Sequence, residues 1–84
     1  MDYTGAVETA YHANIREEPR TDSSIVTEVA SGIRMMAAPA VQGGEYYEGN
    51  AGNEWYPVEY NMGDGQILHG YLAAGLCVVI EHPV

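Results

Sequence analysis

The chain has 84 residues and a mass of 9.1 kDa, room for one small domain and no second. Twelve acidic residues stand against three arginines, Arg16, Arg20 and Arg34, with no lysine, for a formal net charge of −9 and a pI of about 4.4. That balance excludes a phosphate-gripping nucleic-acid surface and opposes an anionic membrane, and a single cysteine, Cys77, excludes an internal disulfide framework or a closed zinc site. The longest apolar run, Leu76 to Ile80, is far short of a membrane span, and the opening Met-Asp-Tyr-Thr-Gly lacks the basic start and apolar stretch of an export signal.

Gly, Pro, Asn, Asp and Ser cut the chain into short segments, the spacing of a small all-β fold. Residues 1–9 read as an N-terminal extension or linker, 10–81 as the folded domain and 82–84 as a tail. The first segment, Tyr11 to Arg16, closes at Glu17-Glu18-Pro19, where proline fixes its own φ and holds Glu18 extended. After a loop over Arg20 to Ser24, Ile25 to Val29 is β-branched at four of five positions and stops at Ser31-Gly32, so a strand is expected. Ile33 to Ala38 reads as a further strand, although Met35-Met36-Ala37-Ala38 also suits a helical turn; Pro39 ends it.

Between Ala40 and Asn53 the glycine pairs flanking Glu45-Tyr46-Tyr47-Glu48 suit either a flexible loop or a short hairpin with the second glycine cluster at its tip. In Trp55 to Tyr60, alternation sets Tyr56, Val58 and Tyr60 on one face and Trp55, Pro57 and Glu59 on the other. Pro57 cannot donate to a ladder, so its missing amide should face solvent or a bulge. Asn61 to Gly65 is a turn by composition, Ile67 to Leu72 the returning strand, and Ala73-Ala74-Gly75 a break suited to one turn of 3₁₀ helix before a last strand, Cys77 to Glu81. Five or six such strands bury a core by curling into a barrel or forming a small sandwich, and a small barrel is the expectation.

A family likeness emerges from the order of these pieces. Asn14-Ile15-Arg16-Glu17-Glu18-Pro19 resembles the Asn-Val-Arg-Ser-Gly-Pro opening of bacterial SH3 domains. Ser23 to Gly32, Ile33 to Met36, Trp55-Tyr56-Pro57-Val58 and Gly70-Tyr71-Leu72 then resemble that family's successive strands, covering roughly residues 10 to 80. Glu18 stands where the family often has glycine, the segment from Met36 to Trp55 is longer than a minimal member needs, and Tyr71 replaces a frequent tryptophan. The resemblance implies an SH3-like barrel that binds rather than reacts. It further implies a cell-wall recognition module, excised from or fused to a peptidoglycan hydrolase such as a phage endolysin, holding a peptidoglycan peptide at the cell wall or outside the cell. The alternative it leaves is a structural or assembly module, as in a phage virion.

No catalytic group is expected. Cys77 lies in the apolar run and reads as a small core hydrophobe, no Gly-x-Ser-x-Gly elbow occurs, and the carboxylates read as a solvated surface. His12 and His69 fall in different strands and Asp64 is a lone acid in its turn, so no metal or cofactor is expected. The aromatic set is unusual, with seven tyrosines, one tryptophan and no phenylalanine. Because a purely apolar core has no use for the hydroxyl, some tyrosines are expected at the surface, where such rings pack against peptides and sugars. Trp55, Tyr46, Tyr47 and Tyr71 form the candidate ligand-binding patch beside the long loop, with Val58 and Leu72 in the core. Arg16 is expected to pair with Glu17 or Glu59 and fix the first loop. The isolated domain is expected to be a monomer.

Overall fold

The computed structural model describes all residues, 1–84, as an all-β chain of eight strands and one turn of 3₁₀ helix. The strands are β1 (Gly5–Thr9), β2 (Ala13–Arg16), β3 (Ile25–Val29), β4 (Arg34–Ala37), β5 (Val41–Tyr46), β6 (Gly52–Asn61), β7 (Ile67–Ala73) and β8 (Cys77–Glu81). The helical turn, Ala74–Leu76, falls at the expected break, and the Met35-Met36 segment is strand rather than helix. Every pairing is antiparallel, in the order β3-β2-β7-β6-β4-β1-β8, with β5 added to β6.

The ten-residue β6 is the spine of this sheet. One edge pairs along its length with β7, from Trp55↔Ala73 to Asn61↔Ile67. The other edge is divided: β4 takes Glu59 and Val58 through Met36 and Ala37, and β5 takes Trp55 and Glu54 through Val41 and Gln42. Pro57 sits at the division. Its carbonyl accepts the Ala38 amide at 2.9 Å, and its ring nitrogen faces the same edge, where Pro39 separates β4 from β5. The missing donor therefore lies at a gap between two strands rather than in solvent, and Pro57 is fully buried without a lost ladder bond.

The core follows the alternation. Val7, Ile15, Val58 and Leu72 have no exposed surface, and Val29, Met35 and Ala37 pack with them. In β2, Ala13 and Ile15 point into this core and Asn14 and Arg16 to the opposite face. Glycine at position 70 lets β2 cross close over β7, because a side chain there would stand 2.7 Å from the Arg16 carbonyl oxygen. Buried Thr9 pins the β3–β4 turn. Its hydroxyl donates to the Ala30 carbonyl at 2.7 Å and accepts the Ile33 amide at 2.9 Å, while its own carbonyl accepts the amide of Gly32, whose φ of 80° closes the turn.

Two expectations are corrected. The ladder is open, with β3 and β8 as its free edges, where a closed barrel was expected. The second correction is β1, which lies in the stretch read as an extension and occupies the place between β4 and β8, with four register pairs to each. The tail is likewise tied down. Thr4 Oγ1 accepts the Val84 amide at 2.8 Å and donates to the Val84 carbonyl at 2.9 Å, clasping the two ends together.

Deleting residues 1–9 should therefore abolish cooperative unfolding, since it strips two strands of their shared partner and removes Val7 from the core. Thermal melts followed by circular dichroism check this; a deletion protein that melts like the full chain would show β1 to be dispensable. Leu72→Ala should cost about 2–5 kcal/mol in the same assay.

Candidate functional site

The site is built on the face of β2, β7 and β6 opposite Val58 and Leu72, and its Trp55 and Ala73 belong to the same buried cluster as those two residues. The register pairs Arg16 with Tyr71, Pro57 with Tyr71 and Trp55 with Ala73, so these side chains share one surface. β5 bends over it. Its ladder with β6 breaks register between Gln42 and Tyr46, and the intervening Gly43-Gly44 brings backbone into close contact with the first loop. The Gly44 amide donates to the Pro19 carbonyl at 2.8 Å, and the Gly44 carbonyl accepts Trp55 Nε1–H at 2.8 Å. A side chain at position 43 would collide with Pro19 and with the indole. The stretch expected as loop or hairpin is thus a hairpin, with its tip at 47–51.

Tyr46 locks this cover. Its hydroxyl donates to the Glu54 carbonyl at 2.8 Å and accepts the Gly75 amide at 3.1 Å, and its ring meets Trp55 edge to face at 5.3 Å between centroids. Trp55 is left 2 % exposed and Tyr46 5 %. Above them opens a cleft of about 300 Å³. Trp55, Tyr46 and Leu76 give it an apolar base; Asn14 and Arg16 line it from β2, and Glu45, Tyr47 and Glu48 from the hairpin. Tyr47 is 78 % exposed. Its hydroxyl donates to Glu45 Oε2 at 2.7 Å, and that bond together with the carboxylate's charge raises the phenol above its ordinary range. A second cleft of about 340 Å³ shares Glu45, Tyr46 and Tyr47 and runs on to Asn53.

Three of the four sequence candidates, Trp55, Tyr46 and Tyr47, are thus brought to one cleft. Tyr71 is not among them. It lies on the same sheet face but borders a separate cavity of about 140 Å³ with Tyr3, Pro57 and His69. Trp55 is expected on the face away from Val58, either as a contact residue or as a plug that the loop tyrosines cover. The face is right, and the β5 cover buries the indole and occupies its only donor. Tyr47 is the freely presented ring of the set.

Arg16 is also corrected. Glu59 faces His69 Nε2 at 3.5 Å, Arg20 bridges Glu18 and Asp22, and Arg34 stands 3.7 Å from Glu8; Arg16 has no carboxylate within ion-pair distance. It does fix the first loop, by donating from Nη1 to the Ser23 carbonyl at 2.9 Å. Beside it, Asn14 Oδ1 is buried without a hydrogen-bond partner. Fixing the first loop is the role expected of Arg16, reached through a carbonyl rather than a carboxylate; Asn14 was not singled out, although its alternation with buried Ala13 and Ile15 was available as a signal.

The remaining chemistry is quiet. Cys77 is half-buried, with its sulfur 3.6 Å from the Ala74 carbonyl oxygen, and burial pushes the thiol up to about 11. Burial also raises the Tyr56 phenol, with smaller contributions from Cys77, Glu54 and Tyr46. No group of three or more His, Cys, Asp or Glu side chains is gathered to hold a metal ion. In comparisons with known proteins, the chain matches no family model, no curated protein and no solved structure.

Tyr46→Phe should destabilise the fold by about 1–3 kcal/mol, because the Gly75 amide and Glu54 carbonyl lose their partner in a closed site. Urea titration with Trp55 emission measures it; a cost below about 0.5 kcal/mol would mean the hydroxyl is not the lock. Cys77 favours the neutral thiol in the folded chain. Its contribution to stability is thus complete below the unfolded value of 9.0 and lost as pH rises towards about 11. At pH 8 the native thiol should be alkylated roughly a hundredfold more slowly than in urea, judged by mass spectrometry over time.

Proposed function

We propose that this chain is a non-catalytic binding module with an SH3-like arrangement, and that it holds a short peptide across the cleft between the first loop and the β5–β6 hairpin. The observation that carries the reading is the convergence of Trp55, Tyr46 and Tyr47 on one concave, partly apolar surface, with polar groups from β2 and the hairpin at its margins. A rigid sheet beneath two loops is a platform on which loops can be altered for a ligand without disturbing the core. The likeness to bacterial SH3 domains supports a peptidoglycan peptide as the ligand, and with it a place at the bacterial cell wall, in an endolysin or exported hydrolase.

A net charge of −9 works against approach to a wall rich in anionic polymer, so recognition must be short-ranged or assisted by a basic partner. A second reading is favoured by the free edge of β8, where Val78 and Ile80 are exposed: an assembly module that accepts a strand from another protein. The two separate in one experiment. Purified protein is sedimented with bacterial sacculi, with and without wall polymer, beside a Tyr47→Ala variant. Tyr47 is exposed, so this change should alter stability by no more than about 0.5 kcal/mol while weakening sedimentation about tenfold. Absence of sedimentation with any sacculus overturns the wall reading. Trp55→Ala is unsuitable here, because losing a buried indole confounds folding with binding.

A further inference from the structure

We infer that the β2 end of the cleft is a carboxylate site: Arg16 receives the last residue of a peptide, with the terminal carboxylate on its guanidinium. This rests on the peptide-binding reading above and specifies which peptides qualify. In a chain with twelve acids and three arginines, two arginines have carboxylate neighbours and the third, Arg16, stands in the cleft with one N–H used on Ser23. A guanidinium offers five donors in a planar fork, so four remain for a ligand, and the fork matches a carboxylate in two parallel bonds. Two positions away on the same strand face, roughly 7 Å along β2, Asn14 also lines the cleft.

The opposite margin narrows the ligand, because it is of opposite sign. Glu48 is exposed, and Glu45, although it accepts the Tyr47 hydroxyl, keeps its second oxygen open to a donor. A cationic side chain one or two residues before the terminus is therefore favoured there, and its charge offsets the protein's own repulsion of the terminal carboxylate. The cleft thus selects a short dipolar peptide with a free, uncapped end.

Isothermal titration of the full chain with Nα-acetyl-Lys-D-Ala-D-Ala tests the inference, alongside the same peptide as its C-terminal carboxamide and with the lysine acetylated. The free acid should bind roughly tenfold or more tightly than the carboxamide, and lysine acetylation should weaken it further. Arg16→Gln should bring acid and carboxamide to the same affinity, and Arg16→Lys should restore part of the difference; unchanged melting in either variant shows that the loop bond to Ser23 is not what was measured. Equal binding of acid and carboxamide by the unaltered chain overturns the carboxylate site and leaves the cleft reading intact. Binding of neither peptide also overturns it, and the sacculus assay with Tyr47→Ala then decides the cleft reading separately.

Discussion

The bond from Trp55 Nε1 to the Gly44 carbonyl organises the functional half of this protein. An indole on the outer face of a sheet exposes a large apolar area and one polar atom, and both must be covered for the residue to be buried at low cost. β5 does both at once. Its two glycines bring a carbonyl to the indole nitrogen and an amide to Pro19, and Tyr46 closes the far side through the Glu54 carbonyl and Gly75 amide. The first loop, the hairpin and the 3₁₀ turn are thereby joined around one side chain, and the cleft is the space that they leave.

Much of the scaffold was legible because it depends on local chemistry. The two faces of Trp55 to Tyr60, the turn at Asn61 to Gly65, the break before Cys77 and the burial of Val58 and Leu72 follow from alternation and from glycine and proline placement. What escaped depends on distant partners. Gly5-Ala6-Val7-Glu8-Thr9 has little strand character of its own and becomes β1 because β4 and β8, some thirty and seventy residues further on, offer edges on both sides. Without that strand β8 has no neighbour in the sheet, so the order of the ladder does not follow from the other segments alone.

The site was legible in its membership and not in its roles. The tyrosine excess and the long loop pointed to the right region, yet alternation reports which face a residue takes and not what comes to lie above it. That is why alternation does not separate an open Trp55 from a covered one, and why Tyr71 falls in the same expected patch. Arg16 was assigned a carboxylate partner from the sheer abundance of acids. The fold sends Glu59 to His69 and holds the arginine by a backbone carbonyl instead. Pair statistics cannot anticipate an ion that a fold keeps unpaired.

The clasp between Thr4 and Val84 has an architectural meaning. Both chain exits lie side by side, so the domain occupies almost no length along a polypeptide that carries it. Such a unit can be spliced into a surface loop of a larger protein as readily as strung between linkers, and either host would feel the insertion as a pendant rather than a spacer.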